Sequence, residues 1–311
     1  MSTAVFGRTN RTFPPVWLSL RLPREPDPES IDRLAAVAVE AARNDVPLDV
    51  TSQPALWGSH LRGKDATLVA VGRSDLEAST EEAHAADLVQ AHILEVLCSL
   101  TRESIDFYAL RVRKALEEFQ VSGALMAMES ARQEGHIRHL ALWVDGPPLA
   151  ARGLWQFHDA FEVVFAPVSH LDRSSETTLG PLARERRVGL VGTNPVEWSP
   201  GVSATIVAED PNFVAAHPQW APASIARALI AKIAADRPVL AGVHSAEEAR
   251  AALDAGSGGA PLDVDDIVAA VESAWKDPGT WGRLATDPRE WVRRIARRGQ
   301  AETRRPTQKT L

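Results

Sequence analysis

Residues 105–144 read IDFYALRVRKALEEFQVSGALMAMESARQEGHIRHLALWV. An apolar run at 105–110, a helical span at 122–134 and a second apolar run at 137–144 make one strand–helix–strand unit. Gly135 stands where a helix C-cap glycine is expected. Short continuous apolar runs joined by a helix are the pattern of parallel strands buried on both faces, because a parallel pair needs a crossover connection.

The alternation continues in both directions. Upstream, residues 30–42 place Ile31, Leu34, Ala35, Ala38 and Ala41 on one helical face, with Ser30 as the expected N-cap. Strands are expected at 48–51, counted here as the first of the barrel, and at 67–71. A long helix is expected at 81–100, with Val89, Ile93, Val96 and Leu100 on one face. Downstream come helix 148–158, strand 163–167, helix 179–186, strand 188–191, helix 223–235, strand 239–242, and helices 246–255 and 264–275. A weak eighth strand falls near 260–262. A Pro-rich segment, 21–28, separates an expected N-terminal hairpin from the first helix.

Seven or eight such units in 311 residues favour a closed barrel. An open dinucleotide-binding sheet would carry a Gly-rich turn after its first strand, and none is present. The expected fold is α/β, a (β/α)₈ TIM barrel with an N-terminal hairpin and a C-terminal helical extension. Residues 1–276 form the barrel and 277–311 the extension, with disorder expected over its last dozen residues.

A net charge of −7 and a pI near 5.8 disfavour nucleic acid and anionic membrane surfaces as partners. Arg293-Arg294, Arg297-Arg298 and Arg304-Arg305 are a local exception, read as a solvated helix face and frayed end. No apolar stretch reaches the roughly 18 residues of a membrane span, and the first eleven residues carry no secretory pattern. A single cysteine, Cys98, in the apolar run 93–100, fits a reducing compartment and a buried structural thiol. The expected location is the cytoplasm.

Several strings resemble aldo-keto reductases. They are Phe6-Gly7-Arg8-Thr9; Cys98-Ser99-Leu100 followed by residues 105–110; Gln133-Glu134-Gly135-His136-Ile137-Arg138; residues 161–173; residues 182–195; and residues 239–253. Their order and spacing carry the resemblance, which spans residues 6–275. It implies carbonyl reduction with NADP(H) at the C-terminal mouth of the barrel. A tyrosine gives the proton, a lysine lowers its pKa, an aspartate holds the lysine, and a histidine orients the substrate.

Matched position by position, most of those groups are replaced. Trp57 stands for the tyrosine, and an indole N–H is no general acid near pH 7. Ala70 stands for the lysine and Arg111 for the histidine, while Asp49 matches the aspartate. In the cofactor site Val144-Asp145, Phe165, His244 and Ala252 replace the expected polar and basic residues. Pro195 and Gly242 keep the pattern, and Pro195, Gly242, His244 and Glu248 are the candidate cofactor contacts. The one tyrosine, Tyr108, lies within a strand.

Asp49 reads either as a surviving catalytic carboxylate or as a strand-end residue paired with Arg111 or Arg73. Arg111 reads either as an anchor for an anionic ligand or as half of a salt bridge with Asp49 or Asp145. Trp57, Trp143, Trp198 and Trp220 either line an apolar pocket or plug a cavity. Trp275, Trp281 and Trp291 would pack the extension. No metal-binding spacing links His139, His170, Asp172, Glu197 and His244. The expected function is a catalytically degenerate aldo-keto-reductase-like barrel that binds a small molecule or a protein partner in a binding, regulatory or assembly role. The alternative is an NAD(P)H-dependent oxidoreductase with a rewired mouth, using Asp49, Trp57, Arg111, Asp145 or His170.

Overall fold

A computed structural model describes residues 5–22, 26–169, 173–195 and 222–257. Eight parallel strands close into a barrel in chain order: β1 Val16–Leu20, β2 Leu48–Asp49, β3 Leu68–Val71, β4 Ile105–Val112, β5 Ile137–Val144, β6 Val163–Pro167, β7 Gly189–Thr193 and β8 Val239–Val243. The helices between them are α1 Pro28–Arg43, α2 Pro54–His60, α3 Glu82–Leu100, α4 Glu118–Gln133, α5 Pro148–Phe157, α6 Ser174–Arg186, α7 Pro222–Ala234 and α8 Ala246–Gly256. A 3₁₀ turn at Ser74–Ala78 precedes α3. None of the described helices is long and apolar enough to cross a membrane.

The barrel closes where the sequence reading placed a hairpin. Val16–Leu20 pairs in parallel with β2 on one side and with β8 on the other, Ser19 opposite both Asp49 and Gly242. The strand counted first in the sequence is therefore second, and each later strand moves up by one. Ahead of it, the hairpin reduces to a turn in which the Phe6 N–H donates to the Arg11 carbonyl. The sequence misleads here because VWLSL is uniformly buried and gives no period-two signal. The weak strand near 260–262, helix 264–275 and the extension lie outside the described residues.

Local chemistry moves two helix starts. The cap of α1 is Asp27, not Ser30: its Oδ1 accepts the Ser30 N–H at 2.8 Å, and Pro28 occupies the first turn. Gln120 Oε1 accepts the Glu117 N–H at 3.0 Å and starts α4 four residues early. Gly135, at φ +83°, makes the left-handed turn into β5. Cys98 is exposed, against expectation. The buried face of α3 is Ala85, Ala86, Val89, Ile93, Val96, Leu97 and Leu100, and Cys98 shares the opposite side with exposed Leu94.

Two cores result. The outer one lies between strands and helices and takes Leu18, Leu48, Ala70, Tyr108, Leu110, Leu142 and Val164. The inner one fills the barrel with Trp17, Val69, Val71, Phe107, Ala109, Ala141, Trp143, Phe165, Val191 and Leu240. Phe6 and Phe13 close its floor against Trp17, with ring centroids 5.2–6.0 Å apart. Gly189 makes that possible, since a Cβ there would lie 2.4 Å from the Phe6 ring. Buried Asp106 ties the floor together, accepting from Arg11, Arg138 and the Leu68 N–H.

Candidate functional site

The C-terminal strand ends form the mouth, where the inward residues of successive strands converge. On β1 the inward sequence is Trp17, Ser19, Arg21. Ser19 Oγ donates to Asp49 Oδ2 at 2.6 Å, and Arg21 Nε donates to Ser19 Oγ at 3.3 Å. Thr51 Oγ1 donates to Asp49 Oδ1 at 2.5 Å, the Thr51 N–H reaches the same oxygen at 3.0 Å, and Thr51 Oγ1 accepts the Val71 N–H. One chain of hydrogen bonds thus runs from Arg21 through Ser19, Asp49 and Thr51 to β3. Asp49 is 6% exposed and pairs with neither Arg111 nor Arg73; Arg73 holds Asp75 and Glu95 on the outer surface.

Arg111 lies one register step above inward Ala109, opposite Trp143 and level with Phe165 and Val191. Its Nε is buried without a hydrogen-bond partner among the described residues, and it forms no salt bridge among them with Asp49 or Asp145. Trp143, 8% exposed, packs on Phe165 at 5.4 Å between centroids and closes the barrel interior beneath the mouth.

The remaining expected residues are dispersed. Trp57 is fully buried in the outer core on α2, away from the mouth, and its Nε1 finds no partner among the described residues. Ala70 faces the helices, so the inward positions of β3 are Val69 and Val71; counting the match from the strand end put it one residue out of phase. Lys64 sits in the turn after α2, exposed, its carbonyl accepting from Arg102. Asp145 is exposed at the rim, its N–H on the Val112 carbonyl. Pro195 is buried two residues beyond β7. His170, Asp172, Glu197, Trp198, Trp220 and the three tryptophans of the extension lie outside the described residues.

At the β8–α8 turn, Ser245 caps the helix and accepts the Glu248 N–H, while Glu248 Oε2 accepts the exposed His244 N–H at 2.8 Å. Gly242, opposite Ser19, also bears on the mouth. A Cβ there would sit 3.3 Å from the Arg21 guanidinium, so the glycine leaves room for that side chain. Inward His139 stacks on Phe107 and bonds Glu162 near the floor. No group of three potential metal ligands occurs among the described residues.

Tyr108 faces outward from β4. Its hydroxyl lies 2.7 Å from His92 Nδ1 of α3, in a cleft of about 10 Å³ bordered by Gly72, Arg73, Leu76 and Val89. Burial pushes the phenol well above its ordinary value and holds His92 below its own. Sequence reasoning missed Ser19, Arg21 and Thr51. Alternation from Trp17 would have found the first two had β1 been recognised as a barrel strand.

This arrangement is a (β/α)₈ barrel with the fold of the aldo-keto reductases. Solved structures similar to it include an aldo-keto reductase from a Medee basin deep-sea metagenome library, with TM-score 0.62, 12% identity, and 87% of this chain and 94% of that one covered. An aldo/keto reductase from Klebsiella pneumoniae, in complex with NADP and acetate, has TM-score 0.62 and 16% identity over 81% and 89% of the two chains. One from Brucella melitensis has TM-score 0.60 and 10% identity over 85% and 95%. No family model matches the chain, and no curated protein matches its sequence.

Proposed function

We propose that the chain is a ligand-binding barrel on the aldo-keto reductase fold that does not carry out that family's carbonyl reduction. It would serve in a binding, regulatory or assembly role, with a small molecule or a protein partner at the mouth. The observation that carries this reading is the placement of its single tyrosine. Tyr108 points away from the barrel interior, is fully buried, and has its hydroxyl engaged by His92. A phenol that burial holds protonated on the outer side of the sheet cannot reach a carbonyl in the mouth. The inward faces of β3 supply Val69 and Val71 where a lysine would be needed.

The residues present also fit NADP(H) poorly. The turn that would meet a phosphate carries Glu247 and Glu248, and the His244 N–H there already belongs to the Glu248 carboxylate. Phe165 is covered by Trp143 where a polar contact to the nicotinamide would be needed.

A second reading, an NAD(P)H-dependent oxidoreductase acting on a carbonyl compound, is favoured by one observation. Structures of this fold include a complex with NADP and another with NADPH. In that reading Asp49, Arg111 and Asp145 are the polar groups nearest the reacting centre among the described residues, and His170 is the one the sequence adds to them.

Titration of the protein with NADPH and NADH separates the two. Tryptophan fluorescence and melting temperature are the readouts. A ligand at 100 times its Kd adds about 2.7 kcal/mol of stability. The binding-barrel reading expects no shift at millimolar cofactor. A clear shift accompanied by turnover of any carbonyl compound overturns it.

A further inference from the structure

We propose that the mouth is a seat for a small organic monocarboxylate, gripped by Arg111 above the Trp143 ring. This rests on the binding-barrel reading and names the ligand class for it. A guanidinium binds a carboxylate bidentately along an edge, with two parallel N–H donors matching two oxygens. In Arg111 the Nε donor is buried and has no hydrogen-bond partner among the described residues, so one donor of the fork is unmet. A buried donor left unmade is costly, and a carboxylate at that edge removes the cost.

The surroundings select the rest of the ligand. Trp143 is the register neighbour of Arg111 on the adjacent strand and is tilted over Phe165, so it offers an apolar ring face beside the fork. Across the mouth, Arg21 uses only its Nε on the protein among the described residues, leaving its terminal nitrogens for a second polar group of the ligand. The Ser19 and Thr51 hydroxyls are both committed to Asp49. Among the described residues, two guanidiniums against the one buried carboxylate leave a single positive charge, which suits a monoanion better than a phosphate dianion. Asp145 is at the solvent-exposed rim, where water and salt screen it.

The test uses the full chain with sodium benzoate, its neutral isostere benzamide, and inorganic phosphate, each read by melting temperature and tryptophan quenching. Benzoate is expected to raise the melting temperature and quench fluorescence at millimolar concentration, with benzamide and phosphate silent. Arg111→Gln and Arg111→Lys should each weaken benzoate by about tenfold or more, the lysine because it keeps the charge but not the fork. Trp143→Phe should lose most of the quenching and keep the thermal shift. Arg73→Gln, on the outer surface, should bind like the parent.

Benzoate binding that survives Arg111→Gln, or phosphate binding as well as benzoate, overturns the proposal. So does silence with benzoate. If NADPH is silent too, that outcome leaves the binding-barrel reading standing. NADPH binding with carbonyl turnover removes that reading instead, so the two failures are distinguishable.

Discussion

Replacing Asp49 by alanine distinguishes a structural tie from a catalytic carboxylate. The Asp49 side chain accepts three hydrogen bonds, from Ser19 Oγ at 2.6 Å, Thr51 Oγ1 at 2.5 Å and the Thr51 N–H at 3.0 Å, and is 6% exposed. Hydrogen bonds to a charged acceptor contribute about 1.5–3 kcal/mol each. Thr51 is half-buried and its hydroxyl can turn toward water once the carboxylate is gone, whereas Ser19 is 2% exposed, so the loss falls short of the full sum only by the Thr51 share. Asp49→Ala should cost about 3–4 kcal/mol, and Asp49→Asn, which keeps one acceptor oxygen, about 1–2 kcal/mol. Urea unfolding followed by circular dichroism measures this as a fall in midpoint at constant slope. A catalytic carboxylate held in place at the expense of the fold behaves in the opposite way, its removal leaving the protein as stable or more so. A loss under about 1 kcal/mol for the alanine variant would refute the structural role argued here.

Other consequences follow from packing and burial. Gly123→Ala and Gly153→Ala should have opposite signs, although both replace a helical glycine. At Gly123 the new Cβ would lie 2.2 Å from the Glu82 carbonyl oxygen of α3, costing about 1–3 kcal/mol in thermal or urea unfolding, whereas at Gly153 it meets open space and should add about 0.5–1 kcal/mol. His92 is held below its ordinary 6.5, so its unfolded form binds the extra proton and stability should fall as pH drops through 6.5. Tyr108 is raised above 10.0, so its folded form keeps a proton that the unfolded chain loses, and stability should fall as pH rises above 10. Urea midpoints across pH should show both limbs, with His92→Gln flattening the acid limb and Tyr108→Phe the alkaline one. Cys98 should react fully and at once with an aromatic disulfide reagent in the native protein; a reaction that waits for denaturant would contradict its exposed place on α3.

The barrel was legible because its signal is local. The strand–helix–strand unit at 105–144, and the one-sided faces of α1 and α3, depend only on residue spacing, and the structure keeps each of them, with the starts of α1 and α4 moved by their caps. β1 was not legible as a barrel strand. Val16–Leu20 is recognisable only by its partners, β2 and β8, and β8 lies more than 200 residues away. Losing β1 shifted the strand count, hid Ser19 and Arg21, and left Asp49 without the neighbour that binds it.

The site shows the same division. Composition alone establishes that the chain holds one tyrosine and one cysteine, and motif order alone brings out the resemblance to aldo-keto reductases. Which way a strand residue points is a question of phase, and one residue of slip reverses it. That is why Ala70 proved to face the helices and Val71 the interior, and why Tyr108 lies outside the barrel beside His92. Trp57 and Trp143 both read as mouth tryptophans. Packing on opposite sides of the sheet sent the first into the outer core and the second onto Phe165. Sequence by itself determined the succession of elements and the chemical groups available, because both follow from local spacing and composition. Only the tertiary structure decided which groups share the mouth, because that depends on strand register and barrel closure, which bring residues distant in the chain onto one inward face.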